Sequence, residues 1–286
     1  MENGGVYRVI PVRNGVYAID ESGLSVFYVV TGKERSLVID TGTGIGNPAE
    51  VVATLTGLPY DVVLTHGHVD HAGGTRYYNM VSMHPADRRQ AMSLSVHDRS
   101  DYAERMRRAN ASPVTRDQIQ NIVNPARAPR MLSLKDGHRF DLGGRCLETI
   151  ELPGHTDGSV CFFDETDGVL FLGDSCNTMQ LLDDLPQGRA ARLERWLRAL
   201  ERCLSRCAGA SLFCAGHGLL SPAQVLEARE CGRLAAAGEI PFRREKRHIF
   251  DAEFASYRNS CICYGSLADL FAKDEGATPD GFGRTE

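Results

Sequence analysis

The sequence contains no apolar run long enough to cross a bilayer and no basic start followed by an apolar stretch, so neither a membrane span nor a signal peptide is expected. It has no excess of positive charge. A formal net charge of −5 gives no global electrostatic reason to expect nucleic acid, and the Arg-rich stretches at 103–108 and 189–206 read as solvated helix surface. It also lacks internal repeats and low-complexity segments. The nine cysteines, an odd number with no repeating short spacing, sit in a chain of 286 residues that needs no staples. Reduced thiols and a cytoplasmic location are therefore expected, with Cys203/Cys207 and Cys261/Cys263 read as packing and Cys176 as a candidate to touch a pocket. What is present, 42% hydrophobic and 24% charged residues, supports a sizeable core. A single domain over residues 1–286, a small-molecule substrate and neither nucleic acid nor membrane as partner follow as expectations; the oligomeric state stays open.

The first forty residues read as antiparallel strands at Val6–Val12, Val16–Asp20, Leu24–Val30 and Ser36–Asp40, with a turn at Asn14-Gly15. Asn47, Pro48 and Glu50 then announce a helix, closed by Gly57. A buried strand at Asp61–Thr65 empties into a loop at 66–71, a short helix near Ala72–Tyr78 and a strand at Met80–Met83. Residues 85–130 read as a helical insertion, with a second helix start at Thr115. Strands resume at 138–141, 145–152, 159–164 and 169–173; an amphipathic helix covers Arg189–Cys207, a strand Leu212–Ala215, a helix opens at Ser221-Pro222, and the tail 246–264 returns to strands. Two runs of strands, each followed by helices, predict two sheets packed face to face with helices outside and the strand-to-helix loops along one edge.

The segment Thr65-His66-Gly67-His68-Val69-Asp70-His71 packs three imidazoles and a carboxylate into six positions just beyond a strand. Imidazole and carboxylate are ligands for zinc and similar divalent ions. Residues two apart in an extended loop point the same way, so His66 and His68 can meet one ion, while Asp70 and His71 can meet a second. His84, His97, His138 and His248 read as surface or hydrogen-bonded residues.

This H-x-H-x-D-H run resembles the signature of the metallo-β-lactamase superfamily. Four further segments resemble the family's in order: Asp40 after an early strand, Pro153-Gly154-His155, Phe171-Leu172-Gly173-Asp174, and Ala215-Gly216-His217. The resemblance spans roughly residues 6 to 235 and implies an α/β (α+β) fold, a four-layer αββα sandwich with metals at one edge. It also implies a ligand set: His66, His68 and His155 for one ion, Asp70, His71 and His217 for the other, Asp174 bridging, and Asp40 supporting from behind.

Two divalent ions, zinc or else manganese or iron, would lower the pKa of a bridging water and polarise the bond under attack, with Asp70 orienting the hydroxide. The superfamily cleaves several bond types with nearly the same centre. An aspartate in the bridging position resembles glyoxalase II, lactonases and ribonuclease Z rather than true β-lactamases. Hydrolysis of a small ester, thioester or lactone is therefore expected. The alternatives are a phosphodiesterase or nuclease and a mononuclear iron enzyme like a persulfide dioxygenase. The insertion at 85–130 is expected to cover the metal edge and set substrate choice, through apolar residues such as Met92, Leu94 and Met106.

Overall fold

The computed structural model describes residues 2–3, 5–125, 127–182, 188–247 and 250–265. An eight-stranded sheet is laid down in sequence order: β1 (Glu2–Asn3), β2 (Tyr7–Arg13), β3 (Val16–Glu21), β4 (Val26–Thr31), β5 (Ser36–Ile39), β6 (Tyr60–Val63), β7 (Met80–Met83) and β8 (Arg130–Ser133). β1 to β5 pair antiparallel, then β5 to β8 run parallel because α1 (Pro48–Leu55) and later helices carry the chain back. Asn47 caps α1 through Ala49 N, and the helix ends at an extended Thr56, one residue before the glycine expected to close it.

The second sheet begins with β9 (Arg139–Asp141), β10 (Cys146–Glu151), β11 (Val160–Asp164) and β12 (Val169–Gly173). The next strand, β13 (Met179–Leu182), leaves it, and β14 (Leu212–Ala215) and β15 (Gly218–Leu220) complete it in the order β15-β14-β12-β11-β10-β9. A third sheet, beyond the two expected, joins β13 in parallel to β18 (Ser260–Tyr264), followed by β17 (Phe250–Tyr257) and β16 (Arg243–Arg247). Strands β8, β13 and β15 were not expected; each is only three or four residues long, too short for an alternating pattern to stand out.

Burial on both faces of the central strands explains the layering. In β4, Tyr28 and Val30 pack toward the second sheet with Phe162 and Phe171, while Phe27 and Val29 pack outward against Val51 and Val52 of α1. In β11, Val160 and Phe162 face inward, while Cys161 and Phe163 face Trp196, Leu200 and Cys203 of α6 (Arg189–Arg206) and Ala228 and Cys231 of α7 (Pro222–Ala236). The result is helix, sheet, sheet, helix. Trp196, wholly buried with its Nε1 donating to Ser175 O at 2.7 Å, anchors the outer layer; its truncation to alanine would cost about 3–5 kcal/mol.

All nine cysteines are unbridged, and Cys176, buried among α6 and β12 residues that push its thiol up to about 12, belongs to the core rather than to a pocket. The arginines of 103–108 pair along their own helix, Arg105 with Asp101 and Arg107 and Arg108 with Glu104. No helix among the described residues is long and apolar enough to cross a membrane.

α2 (Val69–Ala72) precedes β7, and between β7 and β8 the chain is helical, in α3 (Arg88–Ser93), α4 (Val96–Arg108) and α5 (Arg116–Gln120). Ser95 with Asp98 and Thr115 with Gln118 form reciprocal caps that start α4 and α5. Leu94 and Met106 pack into the hydrophobic clusters beneath these helices, and only Met92 of the three apolar residues singled out above is exposed.

Candidate metal centre

β5 ends at Ile39, and Asp40 follows in the left-handed region at φ 67°, a conformation an aspartate tolerates better than most residues. That turn aims its carboxylate behind the loop leaving β6. Asp40 Oδ1 accepts from Thr65 N at 2.7 Å; Oδ2 accepts from Thr65 Oγ1 at 2.8 Å and lies 2.9 Å from His71 Nδ1. The expected loop at 66–71 is partly helical, since Asp70 and His71 lie on the single turn of α2 and so turn away from His66 and His68.

Hydrogen-bond partners assign the ring tautomers. Thr65 Oγ1 spends its proton on Asp40 and accepts from His66 Nδ1 at 3.0 Å; His71 Nδ1 donates to Asp40; His155 Nδ1 donates to Leu181 O at 2.9 Å. In each ring the basic Nε2 is thereby left facing the centre. Two clusters result, His66, His68 and His155 in one and Asp70, His71, Asp174 and His217 in the other, with the ligand atoms of each within 4.8 Å of one another. His68 Nδ1 lies 3.1 Å from His66 Nε2 and 2.8 Å from His155 Nε2. His217 Nε2 lies 3.4 Å from Asp70 and 3.3 Å from Asp174 Oδ2. Asp174 touches both groups, its Oδ1 3.6 Å from His71 and its Oδ2 3.7 Å from His155.

The clusters differ in charge. Burial and the neighbouring imidazoles hold His66 and His68 well below the usual histidine range, so both stay neutral. Burial opposes charge on His71 as well, but Asp70, Asp174 and Asp40 outweigh it and raise its pKa; Asp174 does the same for His217. Asp70 Oδ1, His71 Nε2 and Asp174 Oδ1 are buried with no hydrogen-bond partner among the described residues. Two of these atoms, His71 Nε2 and Asp174 Oδ1, lie 3.6 Å apart beside the Asp70 carboxylate, a set of ligand atoms that fits a divalent cation. The backbone leaves room for it: a Cβ at Gly216 would lie 2.3 Å from both Asp174 Oδ1 and His71 Cε1.

All seven residues named from the sequence meet here, but several that hold them were not foreseen. Asp87, buried, accepts from Gly67 N at 3.1 Å, Gly158 N at 2.8 Å and Thr156 Oγ1, tying the two histidine loops together. Arg99 of α4, also buried, donates to Thr43 O at 2.7 Å, to Gly44 O and to Asn124 Oδ1 at 2.8 Å. The Tyr102 hydroxyl lies 3.0 Å from Leu24 O and 3.1 Å from Asp70 Oδ2. Glu21, fully buried, accepts from the amides of Thr43 and Ile45. None of these stands in a recognisable motif; a polar residue whose partners are distant in sequence carries no local signal. Of the other histidines, His84 caps a short 3₁₀ turn through Ala86 N, His97 and His138 are exposed, and His248 lies outside the described residues.

A family model described as the metallo-beta-lactamase superfamily matches residues 21–206, well over half of the chain. The chain belongs to the metallo-beta-lactamase superfamily. An acyl-coenzyme A thioesterase, MBLAC2 of Homo sapiens, is 31% identical over 199 residues, which cover 62% of this chain and 68% of that protein. An atrochrysone carboxyl ACP thioesterase of Cryptosporiopsis sp. is 27% identical over 249 residues, covering 85% of this chain and 61% of that one. Among solved structures, the metallo-beta-lactamase family protein TTHA1429 of Thermus thermophilus superposes with a TM-score of 0.53 at 23% identity, over 80% of each chain, a likeness of fold. This superfamily member is a metal-dependent hydrolase.

Proposed function

We propose that the chain hydrolyses acyl thioesters at a centre of two divalent ions, with zinc the expected metal. In this reading His66, His68 and His155 would hold one ion, Asp70, His71 and His217 the other, and Asp174, close to both clusters, would serve both. The observation that carries it is the position of Asp174, within 4 Å of rings from both clusters, beside buried acceptors with no hydrogen-bond partner among the described residues. Imidazole with carboxylate suits zinc, manganese or iron. Such ions supply Lewis acidity and acidify water at neutral pH.

The chain's own residues do the rest. Asp70, with Oδ1 buried and unpartnered, orients the attacking water and takes its proton. His217, whose side chain is 40% exposed, marks the open side by which the acyl group arrives. The water oxygen bonds to the acyl carbon, the carbon–sulfur bond breaks, and its electron pair leaves on sulfur. A thiol has an ordinary pKa of about 8.5, so the thiolate departs without a general acid, whereas an alkoxide or amine would need one. Thioesters thus ask least of this site, and the two thioesterase relatives support the same choice.

The test is metal analysis joined to a substrate panel. Two zinc ions per chain and faster cleavage of acetyl and acyl thioesters than of lactones or bis-aryl phosphates are expected. One iron per chain with oxygen uptake, or cleavage of the phosphodiester alone, would overturn the reading.

A further inference from the structure

The two sheets of the sandwich do not match in width where β15 ends the second one. β15 lies over β4, held there by Val26 N donating to Gly216 O at 2.7 Å and by Tyr28 Oη donating to Ala215 O at 2.6 Å. β15 is the last strand of its sheet, whereas β3 and β2 lie beyond β4 in theirs, and residues of β2, β3, β4 and β15 together line a groove. The groove has a volume of about 260 Å³. Its floor comes from alternate residues that share one face of the sheet, Ile10 and Val12 of β2, Ala18 of β3 and Val26 of β4, and its rim from Leu219 of β15.

Three observations tell what the groove takes. It is continuous with the candidate metal centre, because His217 and Gly218 line its upper end. Its walls are apolar below that end: Tyr28 turns its hydroxyl away to the backbone and lines the groove, and Ile10 and Leu219, 36% and 50% exposed, add open apolar surface beside it. Just beyond its lower end, Arg13, next after Val12, bridges the two sheets through Asp167 O and Ser211 Oγ, the latter at 3.1 Å. The volume falls slightly below the range of about 300–1,000 Å³ usual for ligand sites, which suits a slender chain better than a ring system. From Arg8 to Val12 the strand runs about 13 Å at its usual rise of about 3.3 Å per residue.

We propose that this groove is the acyl-chain site, holding the fatty tail of the thioester while its carbonyl lies at His217, and that Arg13 sets the longest chain accepted. The assignment rests on the thioesterase reading above. The Arg8–Asp20 ion pair, 2.8 Å, lines the groove in the same cross-strand row as Val26, so the wall is polar at the metal end and apolar beyond it.

The experiment measures kcat/KM for acetyl, hexanoyl, decanoyl and palmitoyl thioesters of N-acetylcysteamine, which lack the coenzyme A nucleotide, on the zinc-loaded protein. The wild type should prefer longer chains up to a limit and then level off or decline. Ile10→Trp and Leu219→Trp, both at exposed positions, should each lower the decanoyl-to-acetyl ratio by about tenfold or more, the scale on which a hydrophobic pocket discriminates methylenes. Met80→Trp, an exposed apolar residue on β7 outside the groove, should leave that ratio as in the wild type. Ile10→Asp provides a second route if the bulky variants misfold, and should lower the ratio by polarity. Equal rates for all chain lengths, or a ratio that moves no more in the Ile10 and Leu219 variants than in Met80→Trp, would overturn the groove assignment. Failure to cleave any of the four thioesters would overturn the thioesterase reading instead.

Discussion

The imidazole cluster and the mixed cluster lie side by side, yet they differ in charge, exposure and support. The first consists of three buried rings, two of them fixed by Thr65 Oγ1 and Leu181 O, and its loops are clasped by Asp87. The second contains two carboxylates and opens to solvent at His217. It rests on a longer chain of buried groups: Asp40 behind His71, Thr41 bonded to His71 O, Glu21 and Arg99 holding the loop after Thr41, and Tyr102 beside Asp70. A cation is drawn to the mixed cluster by charge and to the imidazole cluster by ring geometry. The two should therefore fail in different ways.

Asp174→Asn breaks the comparison at the one group both clusters share. Asparagine keeps the shape and loses the charge that offsets two mutually repelling cations. At least one metal should bind more weakly by more than the roughly 10- to 100-fold typical of perturbed groups around a metal, and turnover should fall with it. Added zinc should restore part of both, because the other six residues remain. Two metals per chain and a wild-type rate without added zinc would remove Asp174 from the site.

His68→Ala and His71→Ala sharpen the contrast. Each should lose one metal and nearly all turnover, but their stabilities should part. His71 is wholly buried and gives Asp40 a hydrogen bond, so its removal leaves a buried carboxylate short of a donor, at a cost of about 1–3 kcal/mol. His68, on the loop clasped by Asp87, contacts the rings of His66 and His155 at 3.1 and 2.8 Å, and a ring left short of a partner costs less than a buried carboxylate does. Thermal melts of the two metal-free variants should show His71→Ala lower; the reverse order would mean that the supports named above are assigned to the wrong cluster.

How much of this was legible in the sequence follows from the same contrast. The six-residue motif is local, so its residues could be read directly, and the strands that deliver it are flanked by turn and cap residues such as Asn14-Gly15 and Ser221 with Gln224. The alternating pattern of two sheets with outer helices was also readable, because β4 and β11 bury both faces in continuous apolar runs. The third sheet was not, since β13 pairs with β18 across some eighty residues, and parallel pairing over that distance has no turn to announce it. Asp87, Arg99, Tyr102 and Glu21 were missed for a related reason. Their roles exist only once distant loops meet, and a buried charged residue looks in sequence like any exposed one.

Glu21 gives the mixed cluster a pH dependence opposite in sign to that of His66 and His68, whose lowered pKa values cost stability as pH falls below the ordinary histidine value. Burial raises its pKa to about 7, although the amides of Ile45 and Thr43 pull the other way. The folded value lies above the ordinary 4.5, so between those two values the native state binds more protons than the unfolded chain. Its contribution to stability is then greatest at the acid end of that window and falls as pH rises through it, by about 3 kcal/mol in all. Denaturant unfolding of the metal-free wild type and Glu21→Gln between pH 4.5 and 7.5 isolates this contribution from the opposite one of His66 and His68: relative to Glu21→Gln, the wild type should lose stability as pH rises. An unchanged slope in Glu21→Gln would assign the dependence elsewhere.

The smallest effect is expected at Tyr102, whose hydroxyl is the one described contact from the helices after β7 to a candidate ligand side chain. The phenol has a single proton. Burial and the nearby Asp70 carboxylate raise its pKa well above the usual range, so that proton stays on at any working pH and goes to either Leu24 O or Asp70 Oδ2. If Asp70 receives it, the bond fixes the carboxylate and draws electron density from the oxygen that faces His217. Tyr102→Phe should then weaken one metal site by about 1 kcal/mol, several-fold in affinity, and shift kcat by a similar factor with little change in KM. The helix itself should survive, because the ring still packs with Leu24, Ile45 and Ile119. Metal titration and steady-state kinetics on both proteins decide the matter. If neither moves while the melting temperature drops, the proton belongs to Leu24 O, and α4 supports the mixed cluster through packing and Arg99 alone.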